Sequence, residues 1–184
     1  MTAVVTSFKT FTPPGWLLPT VACLLSTVPP GHAQSLSHVL LTDSDSVGRG
    51  KSARVRDRKW NRRDCCGFYH RATPSSPAHI VVVVDNVLRG IPHALRGVPF
   101  VREHALGQTI YHEVSHHLDF IVGSTSRPGE AAAESWSTRL LRGHWRSRHP
   151  VRRAVLRVVG AVVLPVARLF GRSQSTPQGT RTAG

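Results

Sequence analysis

The sequence predicts an α+β domain: a small, mainly antiparallel sheet packed on two consecutive helices. Three stretches carry that prediction. His79–Val84 (HIVVVV) is a continuous β-branched run, which suits a strand buried on both faces or lying along a cleft. Val101–Val122 places Leu106, Ile110, Val114, Leu118 and Ile121 at three- and four-residue spacing, the apolar stripe of an amphipathic helix. Glu130–Arg142 (EAAAESWSTRLLR) is rich in good helix formers and follows Pro128, the usual punctuation of a helix start.

In chain order, residues 1–34 read as a signal-like or disordered segment. The apolar run Trp16–Val28 contains Pro19 and leads into Pro29-Pro30-Gly31-His32-Ala33, whose small residues resemble a cleavage site after Ala33. Lys9 is the one cation ahead of that run, so a cytoplasmic or membrane-peripheral location is favoured over secretion. Ser37–Thr42 is a first strand, ended by the turn Asp43-Ser44-Asp45-Ser46. The basic stretch Gly48–Arg63 is a hairpin or an exposed loop, Cys66–His70 a short second strand, and Ala72–Pro77 a turn. Asp85-Asn86 closes the strand at His79–Val84, and a loop with one helical turn at His93–Arg96 leads to the long helix. Gly123–Gly129 separates the two helices.

The folded domain is thus expected over residues 35–149. Residues 150–170 form a basic amphipathic helix, with Arg152, Arg153, Arg157 and Arg168 flanking Val158–Ala167. That apolar core is about half the length of a membrane span. Residues 171–184 are a disordered tail of serine, threonine, glycine and proline.

Composition narrows the function classes. Hydrophobic residues make up 40% of the 184, which excludes wholesale disorder. The three cysteines, Cys23, Cys65 and Cys66, contain no CxxC spacing, so neither an all-cysteine zinc site nor a disulfide framework is expected. A net charge of +14 draws the protein toward polyanions. No acidic residue follows Glu134, while ten arginines do. Arg139, Arg142, Arg146, Arg148, Arg152 and Arg153, with Trp145 among them, suit phosphate contacts and base stacking; a solvated helix face is the plainer reading.

The chemistry concentrates in Tyr111–Phe120 (YHEVSHHLDF), which contains the HExxH pattern His112-Glu113-Val114-Ser115-His116. Two histidines four apart lie on one helical face, so a zinc ion can sit between their ring nitrogens with Glu113 beside it as a base. Catalytic zinc needs a third protein ligand and an open position. Glu130 and Glu134, one turn apart on the next helix, offer that ligand and a carboxylate to receive the outer N–H of a ligating histidine, respectively. Asp119, three residues after His116, is a second such supporting group and a rival third ligand. His117 lies off the His112/His116 face and reads as a solvent-facing or supporting histidine. Glu103 and His104 read as part of a solvated helix face. His144 and Arg127 are the nearest candidates for an oxyanion donor.

HExxH followed by ExxxE on a downstream helix resembles the gluzincin zinc metallopeptidases, the group that includes thermolysin. The matching stretches are His112–Asp119 (HEVSHHLD) and Glu130–Trp136 (EAAAESW). The resemblance implies a minimal zincin: a small sheet, an active-site helix and a glutamate helix. It implies Zn2+ held by His112, His116 and Glu130, with Glu113 as general base toward a peptide or protein substrate. It also implies an edge strand along which the substrate lies, here Ile80, Val81, Val82, Val83 and Val84. The chain departs from the pattern in three places: thirteen residues separate His116 from Glu130, no tyrosine follows Tyr111, and Ser115 stands where glycine is frequent. The alternative is a basic module that binds nucleic acid or an anionic membrane surface and carries a non-catalytic HExxH. That includes an SprT-like role on DNA-bound protein, although the SprT pattern supplies a third histidine rather than Glu130.

Overall fold

Parallel strands need a crossover connection and antiparallel ones do not, and this chain uses both. The computed structural model describes residues 2–47, 54–55, 58–59, 64–122 and 130–148. Its elements are β1 (Ala3–Ser7), α1 (Leu17–Ser26), β2 (His38–Thr42), β3 (Arg54–Val55), β4 (Arg58–Lys59) and β5 (Gly67–His70). There follow β6 (His79–Val83), α2 (Val84–Arg89), α3 (Pro99–Val122) and α4 (Glu130–Arg148), with a single 3-10 turn at His93–Leu95 between α2 and α3. Two compact units divide the chain, Met1–His144 and Trp145–Gly184. Of the second, only residues 145–148, the end of α4, are described. The expected helix at 150–170 and tail at 171–184 lie outside the described residues.

The main sheet has the order β1-β2-β6-β5. β1–β2 and β2–β6 are parallel, and β5–β6 is antiparallel. The sheet is therefore mixed rather than mainly antiparallel: β2 and β6 already pair in parallel, and Ala3–Ser7, within the first 34 residues, adds a second parallel pairing. β1 adds an edge strand, and α1 provides the crossover that lets β2 run parallel to it. Leu17, Val21 and Leu24 of α1 are fully buried: the run that reads as signal-like has a helical stripe turned into the core. Asp43 ties the exit of β1 to the end of β2. Its Oδ2 accepts the backbone N–H groups of Lys9, Thr10 and Phe11 at 2.7, 2.7 and 2.9 Å, and its Oδ1 accepts that of Ser46 at 2.9 Å. Burial, at 1% exposure, would raise the Asp43 pKa, but the hydrogen bonds from Ser46, Phe11, Thr10 and Lys9 more than offset it and hold the carboxyl well below its usual range.

β6 lies between β2 and β5. Residues Ile80–Val83 are thus an interior strand with partners on both sides, and Val84 opens α2. This corrects the expectation that Ile80–Val84 forms the substrate edge. The β-branched run signals burial, and the deepest strand of a sheet is not its edge. Among the described residues β5 pairs on one side only.

Side chains alternate across the sheet. Val39, Leu41, Ile80 and Val82 point to one face and are fully buried. α3 packs there, against Gly67 and Tyr69 of β5. On the opposite face His38, His79 and His70 share one rung of the ladder. Their rings stack at 4.9 and 4.7 Å. Burial first, then the neighbouring His79, lowers the pKa of His38.

The helices meet around Gly107. A Cβ there would stand 3.0 Å from Leu141 Cδ1 and 3.2 Å from Leu24 Cδ2, so the missing side chain lets α1, α3 and α4 approach closely. α4 meets α3 through Ser137, Leu141 and His144, which with Ala133 form a buried stripe at helical spacing. Arg54 pairs with Lys59 and Val55 with Arg58, which settles Gly48–Arg63 as containing a hairpin. No helix among the described residues is long and apolar enough to cross a membrane.

Candidate metal centre

One turn of α3 brings His112 and His116 together. Their Nε2 atoms are 3.1 Å apart, with ring centroids at 4.7 Å and ring planes at 89°. Two ligands of one tetrahedral zinc, each about 2.0–2.1 Å from it, stand about 3.3 Å apart. The pair therefore fits two positions of such a site. Glu113, 7% exposed, points beneath β5. A Cβ on Gly67 would stand 3.1 Å from both Cγ and Oε1 of Glu113 and 2.9 Å from Thr109 Cγ2. Only glycine lets the β5 backbone come this close to the HExxH carboxylate.

The neighbouring positions are structural. Ser115 Oγ donates to the Tyr111 carbonyl at 2.6 Å. His117 is 1% exposed, not solvent-facing. Its Nε2 lies 2.8 Å from the Gln34 carbonyl and its Nδ1 2.9 Å from Tyr69 Oη. A carbonyl only accepts, so Nε2 carries the hydrogen and Nδ1 of the neutral ring accepts the tyrosine O–H. His117 thereby fastens β5 and the chain before β2 onto α3. Ser35, next to Gln34, adopts a left-handed φ of 65°. Burial raises the Tyr69 pKa, partly offset by Arg71.

The other predicted site residues have surroundings of their own. Asp119 is half-buried, and its Oδ2 has no hydrogen-bond partner among the described residues. Glu134 is exposed, off the stripe that meets α3. Glu130 opens α4, but its side chain lies outside the described residues, as does Arg127. His144 is 1% exposed and has both ring nitrogens engaged. Nε2 is 2.8 Å from Glu103 Oε1, and Nδ1 is 3.1 Å from Thr27 Oγ1. It joins α4 to α3 and α1, which corrects the expectation that it donates to an oxyanion. Arg139, Arg142 and Arg146 are exposed, Arg139 lying 5.3 Å over the Trp136 ring. The side chains of Arg148, Arg152 and Arg153 lie outside the described residues.

Sequence reasoning missed Gly67, Tyr69 and the surroundings of His144. The glycine directly before Phe68-Tyr69-His70 was a usable signal, since glycine in a strand marks close backbone approach. Glu103 and His104, read as solvated, are half-buried, and burial lowers the His104 pKa. Burial likewise pushes the Tyr111 phenol well above its usual range, against the hydrogen bond it shares with Thr27.

No protein-family model, curated protein or solved structure matches the chain.

Proposed function

We propose that the chain is a zinc-dependent metallopeptidase of the HExxH type, in line with its resemblance to gluzincins. The observation that carries this reading is the convergence of the His112 and His116 Nε2 atoms at 3.1 Å, with Glu113 buried between them in sequence. Helix pairing supports Glu130 as the third ligand. Ser137 meets Gln108, Leu141 meets Gly107 and His144 meets Glu103, so α4 runs antiparallel to α3. Seven residues before Ser137, Glu130 stands about 10 Å further along α3 than Gln108, roughly level with the turn His112–His116.

Zinc held by His112, His116 and Glu130 would supply a Lewis acid that activates water and polarises the scissile carbonyl. Glu113 takes a proton from the attacking water and returns it to the leaving amine. Its buried position beneath β5 limits competing solvent. β5 replaces β6 as the strand against which an extended peptide lies, because β5 carries the backbone nearest Glu113 and has a partner on one side only among the described residues.

Zinc content and peptidase activity of the wild type and Glu113→Gln test this reading. Both proteins should hold zinc at this site, and the variant should lose roughly 10²–10⁴-fold in activity. Absence of a zinc ion that depends on His112 and His116 would overturn it.

A further inference from the structure

On the α1 side of α3, three side chains far apart in sequence converge. A sulfur of Cys23, a carboxylate oxygen of Glu103 and a ring nitrogen of His144 all lie within 4.8 Å of one another. We infer that Cys23, Glu103 and His144 form a second metal site, of thiolate–carboxylate–imidazole type, for a divalent ion of zinc's class. It is separate from the His112/His116 pair and does not depend on the peptidase reading.

Three arguments lead there. The first is spacing. Ligands about 2.0–2.3 Å from a common tetrahedral ion stand about 3.3–3.7 Å apart. The histidine–glutamate separation is 2.8 Å and no two of the three donors are more than 4.8 Å apart, so side-chain shifts of about an ångström bring all three onto one ion. The second is charge. The His144 side chain is fully buried and that of Glu103 is 15% exposed. A bare divalent ion would be costly there, but one thiolate and one carboxylate cancel its charge. The thiolate also selects a soft or borderline metal over magnesium or calcium.

The third is orientation. A ligating histidine is usually aimed by a hydrogen bond from its other nitrogen. Here Nδ1 of His144 faces Thr27 Oγ1 at 3.1 Å. Thr27 Oγ1 is 2.8 Å from the Leu24 carbonyl and 2.8 Å from Tyr111 Oη. With the ion present, Nδ1–H donates to Thr27, Thr27 donates to Leu24, and the Tyr111 O–H is shared between Thr27 Oγ1 and the Leu24 carbonyl, 3.1 Å away; the Nε2 lone pair is left for the metal. With the ion absent, the imidazole proton sits on Nε2 and is donated to Glu103. Loading therefore moves one proton across the ring and releases one, from the Cys23 thiol. The ion would fasten α1 to α3 and α4, the helices that bear the HExxH pair and Glu130.

Cobalt(II) loading of the full-length protein reads this out, because a thiolate ligand produces a near-ultraviolet charge-transfer band and the His112/His116/Glu130 set contains no sulfur. The band should appear in the wild type, in Cys65→Ser/Cys66→Ser and in His112→Ala/His116→Ala, and vanish in Cys23→Ser. Cobalt stoichiometry should fall by one per chain in Cys23→Ser. No band in the wild type, or a band that survives Cys23→Ser, overturns the site and leaves the peptidase reading untouched. Loss of one ion in His112→Ala/His116→Ala reports on that reading alone. Should Cys23→Ser fail to fold by circular dichroism, Glu103→Gln serves in its place. Cobalt affinity at the thiolate site should drop at least tenfold, and an unchanged affinity overturns the inference.

Discussion

His112 and His116 differ from His117 and His144 in what their ring nitrogens meet. In the first pair, Nε2 faces Nε2 across 3.1 Å. In the second, each ring spans two different elements: His117 joins Gln34 to Tyr69, and His144 joins Thr27 to Glu103. The first pair is half-buried and the second is in the core. Two nitrogens of neighbouring rings turned toward one point suit a shared ion, whereas a ring whose two nitrogens meet separate elements cross-links them, as His117 does and as His144 does while its Nε2 is not taken up by the inferred second ion. Adjacent positions on one helix, His116 and His117, thus take opposite roles because the helix turns by about 100° per residue.

The sharpest way to break this contrast is to exchange metal binding for stability. His112→Ala or His116→Ala should abolish zinc at the HExxH pair and with it the activity, while chelator-treated protein changes stability by no more than about 1 kcal/mol. His144→Ala or His117→Ala should cost roughly 2–4 kcal/mol in urea unfolding of the same metal-free protein, through the cavity and the partners left unsatisfied. The reverse ordering would dissolve the distinction.

A finer probe is Gly67→Ala. The new methyl would meet Thr109 and Glu113 at 2.9 and 3.1 Å, so kcat should fall about tenfold or more through a displaced base, with a stability loss of about 1–3 kcal/mol from overpacking. Comparison with Gly97→Ala, where the added Cβ meets nothing within 4 Å, isolates the local effect. Tyr69→Phe removes the O–H donated to His117 Nδ1 and should cost about 1 kcal/mol, with zinc content unchanged.

The smallest effect is confined to acid. The folded pKa of Asp43 lies below its unfolded value, so its contribution is complete above pH of about 4 and is lost as pH falls toward the folded pKa. Stability of Asp43→Asn should vary less steeply between pH of about 4 and 2 than that of the wild type. Equal slopes in the two proteins would remove Asp43 as the clamp between the β1 exit and β2.

Much of the local structure is legible in residue spacing. The stripe Leu106–Ile110–Val114–Leu118 marks α3, His79–Val83 marks β6, and EAAAESW marks the start of α4. The HExxH pair follows from the same periodicity, since residues four apart meet within one turn. The apolar run Trp16–Val28 shows where such reading stops. Hydrophobicity and length do not distinguish a processed leader from a helix whose Leu17, Val21 and Leu24 line a core.

By itself, the sequence determined which residues neighbour one another along a helix or strand: the paired histidines, the interposed glutamate and a strand rich in β-branched residues. Tertiary structure alone decided that β6 lies inside the sheet and that β5 lies at its edge among the described residues, that two of the three pairings in the main sheet are parallel, that Gly67 covers Glu113, and that Cys23, Glu103 and His144 meet. Those outcomes depend on strand order and helix pairing between segments tens of residues apart. Burial and steric fit select them in three dimensions, and no spacing along the chain encodes them.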